Sequence, residues 1–282
     1  MEFEKLYDFQ NLYNAHRAAR LGKRNKKEVI DFEMNLSQNL VQMFESIRNH
    51  TYQMQSYYQF MVHDPKERVI HALHYPDRVV QHCLCDQIVG PILDRHLIYD
   101  NAACRIGKGT HFALDRVSGF LRSYVKAYGN QGYFLKCDIR KYFYNIDHAI
   151  LKRKLRKVIG DLDVLQFLDA IIDGFETDPG KGLPLGNQTS QWFALYYLDE
   201  LDRLVKEQLQ VPYYSRYMDD CVLIHHDKAY LRECLRQMTA CVQNNLHLEF
   251  NEKTQIQPLK NGIDYLGFHF YVTDTHGNSI YF

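Results

Sequence analysis

The sequence has little of what marks secreted or zinc-binding proteins. Its seven Cys are scattered along 282 residues, odd in number and without a CxxC pair. Such spacing gives no disulfide framework, so a reducing, cytoplasmic compartment is expected. The 14 His include no HExxH or finger-like spacing, which argues against a zinc site.

Long apolar stretches are also missing. No apolar run approaches the roughly 20 residues that a membrane-spanning helix needs, so no membrane partner is expected. The first ten residues, MEFEKLYDFQ, lack the apolar core of a secretory signal. With 46% hydrophobic and 24% charged residues, the composition is globular, allows one large or two ordinary domains, and excludes a disordered chain.

An excess of basic charge is absent too, because 34 Lys and Arg are balanced by 34 Asp and Glu. A nucleic-acid site would then depend on local clustering of positive charge. Residues 17–27, RAARLGKRNKK, carry six basic residues and no acidic one. They form a solvated helix face, a frayed helix end or a surface for phosphates. The candidates for phosphate contacts are Arg17, Arg20, Lys23 and Arg24.

Apolar spacing divides the chain into a mainly helical first part and a mixed second part. A helical repeat predicts an amphipathic helix over residues 28–49, and helices are also predicted over 78–98 and 112–128. Two β-like runs, 57–62 and 68–73, flank a Pro-containing turn and predict a β-hairpin.

From residue 133 the predicted order of elements is β-α-α-β-β-α-β. The strands are expected over residues 133–139, 212–217, 221–225, 246–250 and 263–271. This order is typical of an α+β domain in which helices back an antiparallel sheet.

Two adjacent carboxylates, Asp219 and Asp220, lie at the predicted tip of a hairpin, and Asp138 lies near the end of another strand. Like charges held this close disfavour ionisation, so a cation is expected between them. Three carboxylates at converging strand ends suit Mg²⁺, and a pair of ions roughly 3.5–4 Å apart supports in-line phosphoryl transfer. The alternative is a plain turn, in which Asp is common.

The string Tyr217-Met218-Asp219-Asp220 resembles the catalytic box of reverse transcriptases. Five more segments resemble motifs of that family and occur in the family's order. They are PKERVI (65–70), DIRKYFYNI (138–146), GLPLGNQTSQ (182–191), NEKT (251–254) and YLGF (265–268). The resemblance extends over residues 10–271 and implies the fingers and palm of a right-hand polymerase.

For the metal site, the resemblance implies that Asp138, Asp219 and Asp220 bind two Mg²⁺ ions, with Mn²⁺ as a substitute. Ile139 is expected in the same site. Lys253 is expected to protonate the departing pyrophosphate, so the three Asp and Lys253 are the expected catalytic residues of an RNA-directed DNA polymerase.

For the nucleotide site, the resemblance implies that Phe143 blocks a ribose 2′-hydroxyl. Lys66 and Arg68 are expected to bind the triphosphate, since an ammonium and a bidentate guanidinium suit phosphate oxygens. The remaining nucleotide contacts are expected from Ile139, Leu185, Gly186 and Gln191.

The resemblance also implies partners and a division of the chain. Template RNA, primer, cDNA and dNTPs are the expected partners, and Arg105 and Lys108 join the basic run as nucleic-acid contacts. The expected regions are fingers (1–128), palm (129–262), and a primer-grip hairpin with the chain end (263–282). Because few residues follow this hairpin, a helical thumb is expected to be absent or truncated.

Two departures from the usual motifs indicate a subclass. Leu185 replaces the Gln of a Pro-Gln-Gly motif, and Gln191 replaces the Pro of a Ser-Pro motif. With the loop ACRIGKGTH, these features resemble the reverse transcriptases of diversity-generating retroelements, which copy RNA into mutagenic cDNA. A small basic accessory protein is implied as a partner. Leu185 cannot hydrogen-bond as Gln does, so lower fidelity is expected, unless Leu185 is a neutral packing change.

Two alternatives stay open at this point. One is an antiphage or group II intron-like reverse transcriptase with a different priming mechanism. The other is a non-catalytic RNA-binding protein on a polymerase scaffold, which is disfavoured because all three Asp, Phe143 and Lys253 are retained.

Overall fold

The computed structural model describes residues 1–63, 67–272 and 280–281. The chain forms two compact units, each built from two segments. The first unit contains Met1–His96 and Phe143–Ala194, and the second contains Leu97–Tyr142 and Leu195–Phe282. The predicted fingers, palm and primer-grip regions (1–128, 129–262 and 263–282) are defined by function, whereas the two units are defined by compactness. The three regions therefore stay a prediction.

The described elements are mostly helical. The α-helices are α1 (Phe9–Ala19), α2 (Lys27–Met34), α3 (Leu36–Arg48), α4 (Tyr75–Leu84), α5 (Gly90–Asp94), α6 (Thr110–Tyr128), α7 (Tyr142–Asn145), α8 (His148–Leu155), α9 (Leu162–Asp173), α10 (Gln188–Tyr197), α11 (Asp199–Arg203) and α12 (Lys228–Asn244). The strands are β1 (Tyr58–Val62), β2 (Arg68–Ala72), β3 (Tyr133–Cys137), β4 (Tyr214–Tyr217), β5 (Asp220–His225), β6 (Gln255–Pro258), β7 (Ile263–Tyr265), β8 (Phe268–Val272) and β9 (Ile280–Tyr281). None of the helices in the described ranges is both long and apolar enough to span a bilayer.

In the first unit, the single helix predicted over 28–49 is wrong, because α2 and α3 are separated at Asn35. Asn35 has φ −125° and ψ 37°, outside the helical region. The Asn39 side chain donates to the Phe32 carbonyl at 2.9 Å, which satisfies a helix-end carbonyl that has no intrahelical donor. Apolar periodicity continues across the break because both helices bury one face.

The β-hairpin predicted in the first unit is confirmed. Strands β1 and β2 pair antiparallel from Tyr58 opposite Ala72 to Val62 opposite Arg68. The tip of the hairpin, including Lys66, lies outside the described residues.

In the second unit, four antiparallel strands form a sheet in the order β4-β5-β3-β6. Phe134 faces Ile224, and the next residue, Leu135, faces Leu223. All four side chains are buried. Because neighbouring residues of a strand point to opposite faces, both faces of this sheet are covered, and α6 contributes to the apolar core on one of them.

A further antiparallel sheet of the second unit joins β7, β8 and β9, with Tyr265 opposite Phe268. Positive φ at Leu266 and Gly267 closes the turn between β7 and β8. These residues are the YLGF motif, and the hairpin predicted for it is therefore present.

Candidate active site

The sheet of the second unit brings the three predicted carboxylates to one edge. Cys137 at the end of β3 pairs with Cys221 on β5, so the adjoining residues Asp138 and Asp220 lie at the same edge. Asp219 occupies the turn between β4 and β5. We call Asp138, Asp219 and Asp220, together with Lys136 and Asn251, the carboxylate edge.

Burial controls the protonation of this edge. It raises the pKa of the Asp219 carboxyl to about 7, and the neighbouring Asp138 and Asp220 charges add to the shift. Burial also raises the pKa of Asp220 to about 6, although the ammonium of Lys136 lowers it. Carboxyls with raised pKa values beside one another are those that a cation would stabilise most.

Two residues outside the expected set hold the carboxylates. Lys136 Nζ lies 3.3 Å from Asp220 Oδ2 and donates to the carbonyl of Asp264 at 2.8 Å. Asn251 donates its side-chain amide to Asp138 Oδ2, and its backbone N–H donates to the Asp138 carbonyl at 2.8 Å. Lys136 precedes Asp138 by two residues, so strand periodicity could have placed both side chains on one face.

The donor set fits a divalent cation. It consists of carboxylate oxygens, which hard cations prefer, and the charge of Asp138 is close enough to Asp219 to help raise its pKa. Asp220 Oδ1 is buried and has no hydrogen-bond partner among the described residues, so it is an oxygen that a cation could use. In the described part of the chain, no three His, Cys, Asp or Glu side chains already converge as metal ligands, so binding would require side-chain rotation.

Two other residues predicted for the active site, Ile139 and Lys253, also belong to the second unit. Ile139 is buried and forms a β-bridge with Phe250. Lys253 is exposed, and its backbone N–H donates to Asn251 Oδ1 at 2.9 Å.

The loop residues Arg105 and Lys108 have contacts within the second unit. Arg105 donates to the carbonyl of Ile98 at 2.6 Å and to that of Asn101 at 3.0 Å. Lys108 Nζ lies 4.5 Å from the centre of the Tyr99 ring. Both cations therefore support the loop, and their expected contacts with nucleic acid stay a prediction.

In the first unit, the expected nucleotide motif is tied to the segment that begins with Phe143. Leu183 donates its N–H to the Phe143 carbonyl at 2.7 Å, and Gly182 donates to the Ile146 carbonyl at 2.9 Å. Phe143 and Leu185 are half-buried. Gly186 has φ +97°, which favours glycine, and the space around its α-carbon is open.

A cavity of about 530 Å³ in the first unit, which we call the basic groove, brings part of the basic run to this motif. Its basic lining residues are Lys23, Lys26, Lys27 and Arg78. Leu185 and Gly186 form another part of the lining. An adjoining cavity of about 360 Å³ shares Lys23, Arg78 and Gly186 and adds Gln191.

The basic residues predicted to bind phosphates differ in their solvent exposure and in their contacts. Lys23 is solvent-exposed, yet partial burial of its amine and the charge of Arg78 lower its pKa. Arg20 Nη1 donates to Glu33 Oε1 at 2.5 Å, whereas Arg17 and Arg24 are exposed. Arg68 begins β2.

Comparison with known proteins gives one family and a set of similar folds. A family model described as reverse transcriptase (RNA-dependent DNA polymerase) matches residues 47–270. No curated protein is similar enough in sequence to count as a match.

Two similar solved structures are telomerases. The telomerase of Candida albicans, in complex with a TWJ fragment of telomeric RNA, has 12% identity and a TM-score of 0.57, with 79% of this chain and 45% of that chain covered. The apo telomerase of Candida tropicalis, truncated from its C-terminal domain, has 14% identity and a TM-score of 0.58, with 78% and 54% covered. The chain therefore spans about half the length of these structures, and the similarity confirms the predicted α+β polymerase-like fold.

Proposed function

Because the matched span covers most of the sequence, the chain belongs to the reverse transcriptase (RNA-dependent DNA polymerase) family, and we propose that it copies template RNA into cDNA. Enzymes of this family generally use divalent metal ions. The observation that carries the proposal is the carboxylate edge, where the ends of β3 and β5 bring Asp138 beside Asp220 and the turn before β5 carries Asp219.

In this proposal, the residues that would hold two Mg²⁺ ions, for which Mn²⁺ can substitute, are Asp138, Ile139, Asp219 and Asp220. Bound there, the ions would supply activation of the primer 3′-hydroxyl and stabilisation of charge on the triphosphate. Asn251 orients Asp138 through its amide. Lys253, exposed and two residues further on, donates a proton to the departing pyrophosphate.

The first unit supplies the proposed selection of substrate. Phe143 blocks a ribose 2′-hydroxyl, and Phe143→Ala should raise ribonucleotide use relative to deoxyribonucleotide use in a competition assay. Leu185, Gly186 and Gln191 contact the nucleotide, and Lys66 and Arg68 contact its triphosphate. The basic groove is proposed to hold phosphates of the template, because sequence-independent contacts to nucleic acid come mainly from Lys and Arg.

Within the family, we propose an error-prone enzyme of the diversity-generating type, working with a small basic accessory protein. The supporting observation is that the apolar Leu185 lines the basic groove, where Gln would offer hydrogen bonds. An antiphage or group II intron-like enzyme is the second candidate, since it would share the same carboxylate edge. The identity of the template RNA separates the two.

Primer extension on an RNA template with dNTPs and Mg²⁺ tests the main proposal. Asp219→Ala should reduce single-turnover extension by at least about 10²–10³-fold, the scale of losing one preorganised electrostatic contact. RNA binding, followed by fluorescence anisotropy, should stay near that of the unaltered protein. Asp115→Asn, which changes an exposed Asp on α6, is the matched control. Extension by the Asp219→Ala protein at the control rate would contradict the assignment.

A further inference from the structure

A fully buried ion pair adjoins the turn that presents Asp219. Arg216 on β4 and Asp202 on α11 are both 0% exposed. Arg216 Nε donates to Asp202 Oδ1 at 2.7 Å, and Nη2 donates to Oδ2 at 2.6 Å. The Tyr214 hydroxyl donates to the same Oδ1 at 2.7 Å, so three donors hold this carboxylate.

Stability alone does not explain such a pair. Removing two charges from water costs several kcal/mol per ion, and apolar replacements of similar volume are often neutral or stabilising. A buried ionic network can instead fix one conformation where an apolar core would allow several.

The remaining donors of Arg216 show which conformation that is. Nη1 donates to the Met218 carbonyl at 2.7 Å, and Nη2 also donates to the Leu195 carbonyl at 2.9 Å. Met218 has φ +53°, a left-handed conformation that costs a residue with a side chain roughly 1–2 kcal/mol. The guanidinium thus anchors a strained turn to the end of α10 and, through Asp202, to α11.

The main chain of Arg216 is held as well. Its N–H donates to the Asp100 carbonyl at 3.1 Å, and its carbonyl accepts from Ala102 N–H at 3.0 Å. Both the backbone and the side chain of Arg216 are therefore held by hydrogen bonds. Arg216 can in this way restrain the turn that begins two residues later.

We propose that Arg216 is a positioning residue that holds Met218 in its left-handed conformation and thereby keeps Asp219 beside Asp138. This inference rests on the proposed polymerase function. Without the anchor, the turn relaxes and the Asp219 carboxylate leaves the cation site. Binding of RNA and primer, which depends on other surfaces, stays unchanged.

The experiment measures Mn²⁺ affinity by electron paramagnetic resonance without nucleic acid or dNTP, together with thermal unfolding and single-turnover extension. The conservative variant Arg216→Lys keeps a positive charge for Asp202 but lacks the fork that also reaches Met218. We expect its Mn²⁺ affinity to fall by about 10–100-fold, the range for residues that orient metal ligands. The extension rate should fall with it, while the KM for the primer–template stays constant.

A double variant, Asp202→Leu with Arg216→Met, separates positioning from folding. Because apolar replacement of a buried pair is often neutral or stabilising, cooperative unfolding near the original temperature is expected, with Mn²⁺ affinity still reduced at least tenfold. The matched control is Glu233→Leu with Arg236→Met, which removes an exposed ion pair on α12. Adding Met218→Gly to Arg216→Lys should restore part of the Mn²⁺ affinity, since glycine adopts positive φ without strain.

Each outcome decides the inference. Mn²⁺ affinity equal to that of the control pair in both Arg216 variants would overturn it. So would loss of cooperative unfolding in the double variant, because the pair would then serve folding rather than the turn. If the unaltered protein itself neither binds Mn²⁺ nor extends a primer, the proposed function fails instead.

Discussion

The carboxylate edge and the basic groove hold their charges in opposite ways. At the edge, each charged group is half-buried and has a specific neighbour, such as Asn251 for Asp138 and Lys136 for Asp220. In the groove, Lys23, Lys26 and Lys27 are exposed. Chemistry at fixed atoms benefits from preorganised dipoles, whereas binding to any template sequence needs only adaptable cations. The groups that would react are thus half-buried and held by named partners, whereas the cations of the groove are exposed to solvent.

Among changes that leave all three carboxylates in place, the largest expected effect comes from loosening the edge. Asn251→Ala deletes the amide that orients Asp138, so extension should slow by about 10–100-fold, as for other residues that orient metal ligands. RNA affinity should stay constant. The measurement is single-turnover extension across a Mg²⁺ titration, with Asn244→Ala on α12 as the control. An unchanged Mg²⁺ dependence would show that Asp138 does not need this anchor.

Next in size is a stability effect that depends on pH. The folded-state pKa of Asp219, about 7, exceeds its ordinary value of about 4. The folded protein thus binds the proton more tightly than the unfolded chain, and stability is lost as pH rises from about 4 to 7. Asp219→Asn removes this penalty, so it should stabilise the metal-free protein by about 1–3 kcal/mol at pH 8 and hardly at pH 4.

Thermal unfolding in the presence of a chelator measures this difference at the two pH values. Asp115→Asn on the exposed face of α6 should shift the melting temperature equally at both. If Asp219→Asn also behaves in this way, Asp219 is not buried and crowded as the structure has it.

Removing charge from the basic groove should have a smaller effect, on the salt dependence of nucleic-acid binding and not on catalysis. Lys23→Gln with Lys26→Gln should reduce the slope of log affinity against log salt by about two, roughly one for each lost phosphate contact. Catalytic rate at saturating template should not change. Arg48→Gln, on the exposed end of α3, is the control. A slope equal to the control's would place the template elsewhere.

The smallest effect concerns fidelity. Leu185→Gln adds a donor and an acceptor to the groove at nearly constant length, and apolar contacts discriminate between substrates more weakly than hydrogen bonds do. Misincorporation should fall a few-fold, most visibly opposite template adenine. Sequencing of cDNA made by both proteins on one template checks this. Equal error spectra would mean that Leu185 is a packing residue and would weaken the proposed subclass.

The sequence predicts β3, β4, β5 and the carboxylate edge because their signals are local, whereas the strand predicted over 246–250 is wrong and β6 begins only at Gln255. Asp138 and Asp220 are placed together by two apolar strands and a turn, all visible as short runs. The partners of these residues come from distant segments, since Asn251 lies 113 residues from Asp138. No local pattern reports such a contact. The helix break at Asn35 is likewise invisible, because one apolar periodicity runs through both helices.

The position of Lys136 bears on whether this protein folds before or after it binds a metal ion. Many small metal-binding domains fold only once the ion binds, because the unfolded chain has no preformed site. Here an ammonium from the chain's own β3 already offsets one carboxylate and also bonds the Asp264 carbonyl of the β7–β8 hairpin. The folded chain therefore offsets part of the carboxylate repulsion without an ion, and we expect the metal-free protein to fold. Inhibition by a chelator should accordingly be reversed by adding Mg²⁺, with no refolding step in between.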